Sequence, residues 1–298
     1  MRTERGGPSI SRMTDSPGAR LRLTVLGCSS AAPHAATPAA GFLVQWADTN
    51  LLLDIGQGVV RNLQKLFDPH ELTAIVIGHM HADHFLDLVG LRYLYPWGER
   101  APDPLPVHLP IGGRARLDAL SVAVSERDGF FDAAFDAIEY DPAEELRVGD
   151  LRLRFVRGRH YVPAWGVVVE APDGTRLAYT GDTGPSSSVE DAVRDADLLL
   201  VETALRSAGD DDLERGHLTG DEAIELARAA GVRSALLVHF NPDRLTELEA
   251  ACAAAGPWVR PAVDGLTLTV SPARRGTGVY GSGAPDAVAD AASEPSPA

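Results

Sequence analysis

The stretch that can do chemistry is His79-Met80-His81-Ala82-Asp83-His84. It holds four potential metal ligands directly behind the apolar run Thr73-Ala74-Ile75-Val76-Ile77. Neutral imidazoles and carboxylates converge on a divalent ion at about 2 Å, and the ion acidifies water or polarises a substrate oxygen. Residues two apart on an extended segment point the same way, so His79 and His81 share one side. Asp83 and His84 follow where the chain turns into a helix, and can face a second ion. One histidine here would read as a loop residue. Four ligand-type residues at this spacing, with Gly78 as a hinge, point to metal chemistry.

Three further candidates stand at strand ends, where a rigid scaffold presents ligands. His160 follows a strand over 151–157. Asp182 lies in Tyr179-Thr180-Gly181-Asp182-Thr183-Gly184, just past a strand over 176–180. His239 ends a strand over 234–238. With the histidine box they make seven ligands, enough for two ions.

The elements that position these residues follow from apolar patterning. Leu21–Leu26 alternates, and 41–46 with 50–54 reads as a hairpin. A short helix is expected over 57–66, a buried strand over 73–77 and a helix after His84. More strands are expected at 104–109, 151–157, 165–170, 176–180, 197–202, 234–238 and 266–270. Thr219-Gly220-Asp221-Glu222 has capping-box spacing ahead of an apolar stripe at Ala223, Ile224, Ala227 and Ala230. Asn241-Pro242 starts another helix. Strands with interspersed helices in two halves predict a layered α/β sandwich rather than a doubly wound sheet. No Gly-x-Gly-x-x-Gly or Walker loop is present.

Composition narrows the function. The 298 residues carry a formal charge of −15, with Lys65 the only lysine among 27 basic residues. An acidic surface argues against extended nucleic-acid binding, which rests on cations neutralising phosphates. It admits a small anionic substrate, because bound metal reverses the local potential. Residues 1–19 and 273–298 read as disordered tails around a folded core at 20–272. No apolar run is long enough to span a bilayer and no secretory signal is evident, so a cytoplasmic protein is expected. Cys28 and Cys252 make no disulfide framework and read as two buried thiols. His34, His70 and His108 have no assigned role and are expected to be surface or hydrogen-bonded residues.

These motifs resemble the metallo-β-lactamase-fold hydrolase superfamily from about residue 20 to 270. The resemblance is carried by Asp54 in Leu53-Asp54-Ile55-Gly56, the box at His79–His84, His160, Asp182 in Thr-Gly-Asp-Thr, and His239. It implies a four-layer αββα sandwich. It also implies that His79, His81 and His160 bind one ion, that Asp83, His84 and His239 bind the other, and that Asp182 bridges. Asp54 would accept a hydrogen bond from a ligand imidazole, or else serve as a turn residue beside Gly56. True β-lactamase branches commonly place Cys at the second metal, and neither cysteine fits.

His217-Leu218-Thr219 resembles the His-x-Thr element of the phosphodiesterase branch, which includes ribonuclease Z and small cyclic phosphodiesterases. There the histidine contacts phosphate and assists the leaving oxygen; here it could equally be the residue that leads into the helix. Glu202, in Leu200-Val201-Glu202-Thr203, resembles the acid of ribonuclease Z's His-Glu-Ala-Thr element, with Val201 in the histidine's place. Glu202 would orient His217 or be a plain strand-end acid. Between His160 and Asp182 the chain is too short for the arm with which ribonuclease Z grips tRNA. A Cys-rich structural zinc site of the phosphonate-metabolism enzyme is also absent.

Tyr161 or Trp165 could stack on a base or aromatic leaving group, or simply pack under the site. Region 96–142, with Pro96-Trp97-Gly98 and the aromatics Phe130, Phe131, Phe135 and Tyr140, is expected to form a lid or a dimer surface. The reading favours a hydrolase of a small nucleotide-like phosphodiester, with two divalent ions, Zn²⁺ or alternatively Mn²⁺, holding a bridging hydroxide. Asp83 would assist the water and His217 would act as acid or phosphate clamp. The alternatives are hydrolysis of a lactone, thioester or amide, tRNA 3′ processing, and a metal-stabilised binding module. Homodimers are common in the branch it resembles.

Overall fold

Strands that are apolar on both faces must be covered on both sides, and the early hairpin has this character. In β2 (Gly41–Trp46) and β3 (Thr49–Leu53), Phe42, Val44, Leu51 and Leu53 enter one core, while Leu43 and Leu52 enter another. The computed structural model, which describes residues 19–32, 34–95, 103–211 and 215–273, shows what covers them. The first core lies between two sheets. The second lies between the first sheet and helices α1 (Val59–Leu66), α3 (Leu88–Arg92) and α4 (Gly113–Ser125). Helices α5 (Ser187–Ala192), α6 (Gly220–Ala229) and α7 (Leu245–Ala255) cover the second sheet. The result is the expected four-layer αββα sandwich.

The first sheet joins β1 (Leu21–Gly27), β2, β3, β4 (Ala74–Val76), β5 (Leu105–Leu109), β6 (Phe135–Glu139) and β14 (Thr267–Val270), in the order β14-β1-β2-β3-β4-β5-β6. The second joins β7 (Leu146–Val148), β8 (Leu151–Arg157), β9 (Trp165–Glu170), β10 (Arg176–Tyr179), β11 (Leu198–Glu202), β12 (Ala235–Val238) and β13 (Val259–Pro261), ordered in sequence. Each sheet is antiparallel at one side and parallel at the other. β3, β4, β5 and β6 run parallel, as do β10, β11, β12 and β13. Parallel neighbours bring their C-terminal ends to one edge. Asp54, the histidine box, Asp182 and His239 follow such ends and Glu202 closes one, so they arrive together.

Several expectations need correction. The helix expected after His84 is α3 (Leu88–Arg92), and the chain turns helical earlier than expected, in α2 (Ala82–Phe85), which contains Asp83 and His84. Asn241-Pro242 opens a 3-10 turn over Pro242–Arg244, and α7 begins only at Leu245. The aromatics of region 96–142 are not a lid: Phe131, Phe135 and Tyr140 are buried, and Phe135 opens β6. Tyr140 stacks on Phe155 at 4.0 Å and donates to the Ile77 carbonyl. His108, on β5, is buried, and its Nδ1 has no hydrogen-bond partner among the described residues. His34 meets Asp243, and His70 meets Asp68 and the Leu94 carbonyl, as hydrogen-bonded residues do. Both cysteines are buried and free.

The tails expected at 1–19 and 273–298 lie outside the described residues apart from Ala19 and Ala273, as does Pro96-Trp97-Gly98. Among the described residues no helix is long and apolar enough to cross a membrane.

Candidate metal centre

The site lies where the two halves meet. After β4 the chain must pass close to β9, and Gly78 permits it: a Cβ there would lie 2.8 Å from the Trp165 carbonyl oxygen. Trp165 N instead donates to Gly78 O at 3.1 Å. This contact fixes the start of the histidine box relative to the second sheet. His81 then leads into α2, whose single turn turns Asp83 and His84 inward, both buried. Asp54 and His239 hold left-handed backbones, with φ of 56° and 53°. Non-glycine residues in that region cluster at functional sites, where the surrounding structure maintains the strain.

Two clusters result. In the first, His81 Nδ1 stands 3.0 Å from both His79 Nε2 and His160 Nε2. His160 Nδ1 donates to the Gly216 carbonyl at 2.9 Å, which leaves the Nε2 lone pair facing inward. Burial lowers the pKa of His79, His81 and His160, favouring the neutral form that ligation needs. In the second, Asp83 Oδ2 lies 3.0 Å from His239 Nε2 and 3.5 Å from His84 Nε2. Asp182 serves both: Oδ2 is 3.7 and 3.9 Å from the Nε2 atoms of His79 and His160, while Oδ1 is 3.3 Å from His84 Nε2 and 3.6 Å from His239 Nδ1. The donor atoms within each cluster lie within 4.8 Å of one another.

The donor set fits divalent cations. Among the described residues, His84 Nε2, His239 Nδ1 and Asp182 Oδ1 are buried, the carboxylate oxygen facing the two nitrogens at 3.3 and 3.6 Å without a well-aligned hydrogen bond. Buried polar atoms are seldom left so, and three converging on one space define a place for a positive charge. Burial disfavours charge on Asp182, yet His239, His84 and His79 hold its pKa well below the carboxylate range. Burial likewise opposes charge on His84, but Asp182 and Asp54 push its pKa well up. The carboxylates thus call for a cation, and two metal ions would supply it.

Asp54 holds His84 from behind. Its Oδ2 accepts from His84 Nδ1 at 2.7 Å and from the Tyr179 hydroxyl at 2.9 Å, and its Oδ1 accepts from Gly78 N. Tyr179 escaped the sequence reading. Its signal was a tyrosine on a buried strand, whose hydroxyl needs a partner.

His217 flanks both clusters, its ring 4.9 Å from that of His160 and 5.6 Å from that of His239. Glu202, fully buried, meets His217 Nδ1 with Oε1 at 2.8 Å. Its oxygens also accept from Thr183 N and Ala204 N. Burial disfavours charge on His217, but Glu202 overcomes this, and the pKa is pushed up to about 9. Thr219 caps α6 with Glu222 in a reciprocal box, which fixes the residues just behind His217.

Tyr161 is 46% exposed, its ring 4.8 Å from His160 and 5.6 Å from His217, and its hydroxyl donates to Asp211. Trp165 lies with the Arg157 guanidinium 5.2 Å from its ring centroid.

A family model described as a beta-lactamase superfamily domain matches residues 49–240. An uncharacterized protein of Mycobacterium leprae is 34% identical over 227 residues, covering 74% of this chain and 78% of its own length. A ribonuclease Z of Salinispora arenicola is 29% identical over 266 residues, covering 74% of this chain and 85% of its own. Among solved structures, the metallo-beta-lactamase fold protein YhfI of Bacillus subtilis matches with a TM-score of 0.70 at 24% identity, covering 83% of this chain and 98% of that one. A diphosphatase from the PhnP family matches with a TM-score of 0.69 at 18% identity, covering 85% and 99%.

Proposed function

This chain belongs to the beta-lactamase superfamily, a family of metallo-hydrolase fold, and on that premise we propose that it hydrolyses a small, anionic, nucleotide-like phosphodiester with two divalent cations. His79, His81, His160 and one oxygen of Asp182 would hold the first cation. Asp83, His84, His239 and the other Asp182 oxygen would hold the second. When bound, such ions supply Lewis acidity and a water acidic enough to attack at neutral pH. Zn²⁺ suits the imidazole-rich first cluster, and Mn²⁺ is compatible with the oxygen-richer second.

The observation that carries the phosphodiester reading is the Glu202–His217 pair. Glu202 holds the imidazole by Nδ1 and favours its cationic form. That leaves Nε2 as a proton donor to an anionic substrate. In hydrolysis of a diester, the bond from phosphorus to the water oxygen forms as the bond to the leaving oxygen breaks. Charge develops on that leaving oxygen, and His217 would deliver a proton to it. Asp83, facing His239 and His84, would help to orient the water.

A small substrate is supported by the stretch between His160 and Asp182. It folds as the β9–β10 hairpin with a tight turn, Ala171 N pairing with Thr175 O. The ribonuclease Z relative needs 266 aligned residues where the mycobacterial relative needs 227 for the same share of this chain. Residues of that ribonuclease therefore lack counterparts here, which weighs against tRNA 3′ processing. Turnover of bis-p-nitrophenyl phosphate by the metal-replete protein tests the reading: hydrolysis supports it, and inertness with two bound ions moves the assignment to carbonyl substrates.

A further inference from the structure

We infer that Tyr179 is a positioning residue for the second cation site, acting through Asp54 on His84. The inference rests on the two-cation part of the function proposed above and is independent of the substrate. Asp54 is buried and held by three donors: Gly78 N on Oδ1, and His84 Nδ1 and the Tyr179 hydroxyl together on Oδ2. With the tyrosine in place, the carboxylate cannot turn about its Cβ–Cγ bond without breaking a buried hydrogen bond. The lone pair left for His84 then has one direction, and so does the His84 ring whose Nε2 faces Asp83 and Asp182.

Tyr179 is itself fixed. Its ring is buried and meets the Phe42 ring edge-on at 5.1 Å. It belongs to β10 of the second sheet, whereas Asp54 and His84 follow strands of the first, so the bond crosses between the halves. The same strand end leads on to Asp182. One strand therefore delivers a bridging carboxylate directly and orients a histidine from the opposite half through two hydrogen bonds. Tyr140, also buried near the site, donates to the Ile77 carbonyl instead and holds no ligand.

The test is a Zn²⁺ titration of chelator-stripped, full-length protein against a chromophoric chelator, for wild type and Tyr179→Phe. The expected result is an unchanged first step and a second step weakened about tenfold, the lower end of what partners behind ligating histidines contribute. 3-Fluorotyrosine at position 179, which keeps the hydroxyl, should restore the second step. A general loosening of the fold would weaken both steps together and would overturn the inference, as would two unchanged steps in a folded variant. A single step in the wild type would instead overturn the two-cation reading beneath it. Proton NMR of the metal-free wild type gives a reading that needs no variant. The His84 Nδ1–H and Tyr179 hydroxyl protons should be protected from exchange and share a cross-peak, and its absence would overturn the geometry.

Discussion

Glu202 Oε1 stands 2.8 Å from His217 Nδ1, and the carboxylate making that contact has no solvent exposure. A buried carboxylate with two backbone donors of its own is already hydrogen-bonded, so the imidazole is an addition rather than a rescue. The consequence is electrostatic. Burial disfavours charge on the imidazole, and the anion behind it outweighs that and favours the protonated form.

Glu202→Gln should therefore move a pH profile more than it moves the fold. The free imidazole titrates near 6.5, roughly, and Glu202 beside it pushes the pKa of His217 up to about 9. The pair's contribution to stability is fully present below the lower value and is lost as pH rises through the higher one. If His217 donates the proton, turnover falls along the same alkaline limb. In the glutamine variant the limb of kcat should move down by about one unit or more, and turnover at pH 8 should drop about tenfold or more. A limb left in place would show that Glu202 does not set the charge on His217.

Asp182 offers one oxygen to each cluster, so its loss should be felt at both. Asp182→Asn should lower the metal content from two ions to one or none, read by elemental analysis. Chelation of the wild type should abolish turnover and lower the thermal midpoint. At free cation a thousandfold above Kd, an ion stabilises by about 4 kcal/mol, which is roughly 10 °C for a domain of this size. Readdition of Zn²⁺ or Mn²⁺ should restore both. A variant that keeps two ions would remove the bridge from the account.

Phe135 tests the correction to region 96–142. As a buried residue opening β6, its truncation to Ala should destabilise the fold by about 3–5 kcal/mol in denaturant unfolding. Metal content and KM should stay at wild-type values. A lid residue would give the opposite result, a changed KM with little loss of stability.

Legibility from the chain followed locality. The box at His79–His84 was readable because its ligands are neighbours behind an apolar strand. His160, Asp182 and His239 were readable as polar residues at strand ends; parallel pairing of β10, β11 and β12 brings the last two together, and β8, two antiparallel steps from β10, ends at the same edge. Glu202 and His217 stand on separate elements, so the sequence left their pairing beside the plain strand-end alternative, and the contact at 2.8 Å decides between them. Tyr179 was hidden because a tyrosine in a buried strand reads as packing. α4 went unseen because it starts at the glycine pair Gly112-Gly113 and buries only Gly113, Leu117 and Ser121, too few for a visible apolar stripe. β6 and β13 lie at sheet edges, where one face is open and alternation fades.

The most direct measurement is turnover of bis-p-nitrophenyl phosphate by metal-replete wild type beside His217→Ala, with metal content determined for both. The account predicts hydrolysis by the wild type and a loss of about 10²- to 10⁴-fold in the variant, the range for removing a general acid, with two ions retained. No hydrolysis by wild-type protein carrying two ions, or undiminished hydrolysis by the variant, would contradict it.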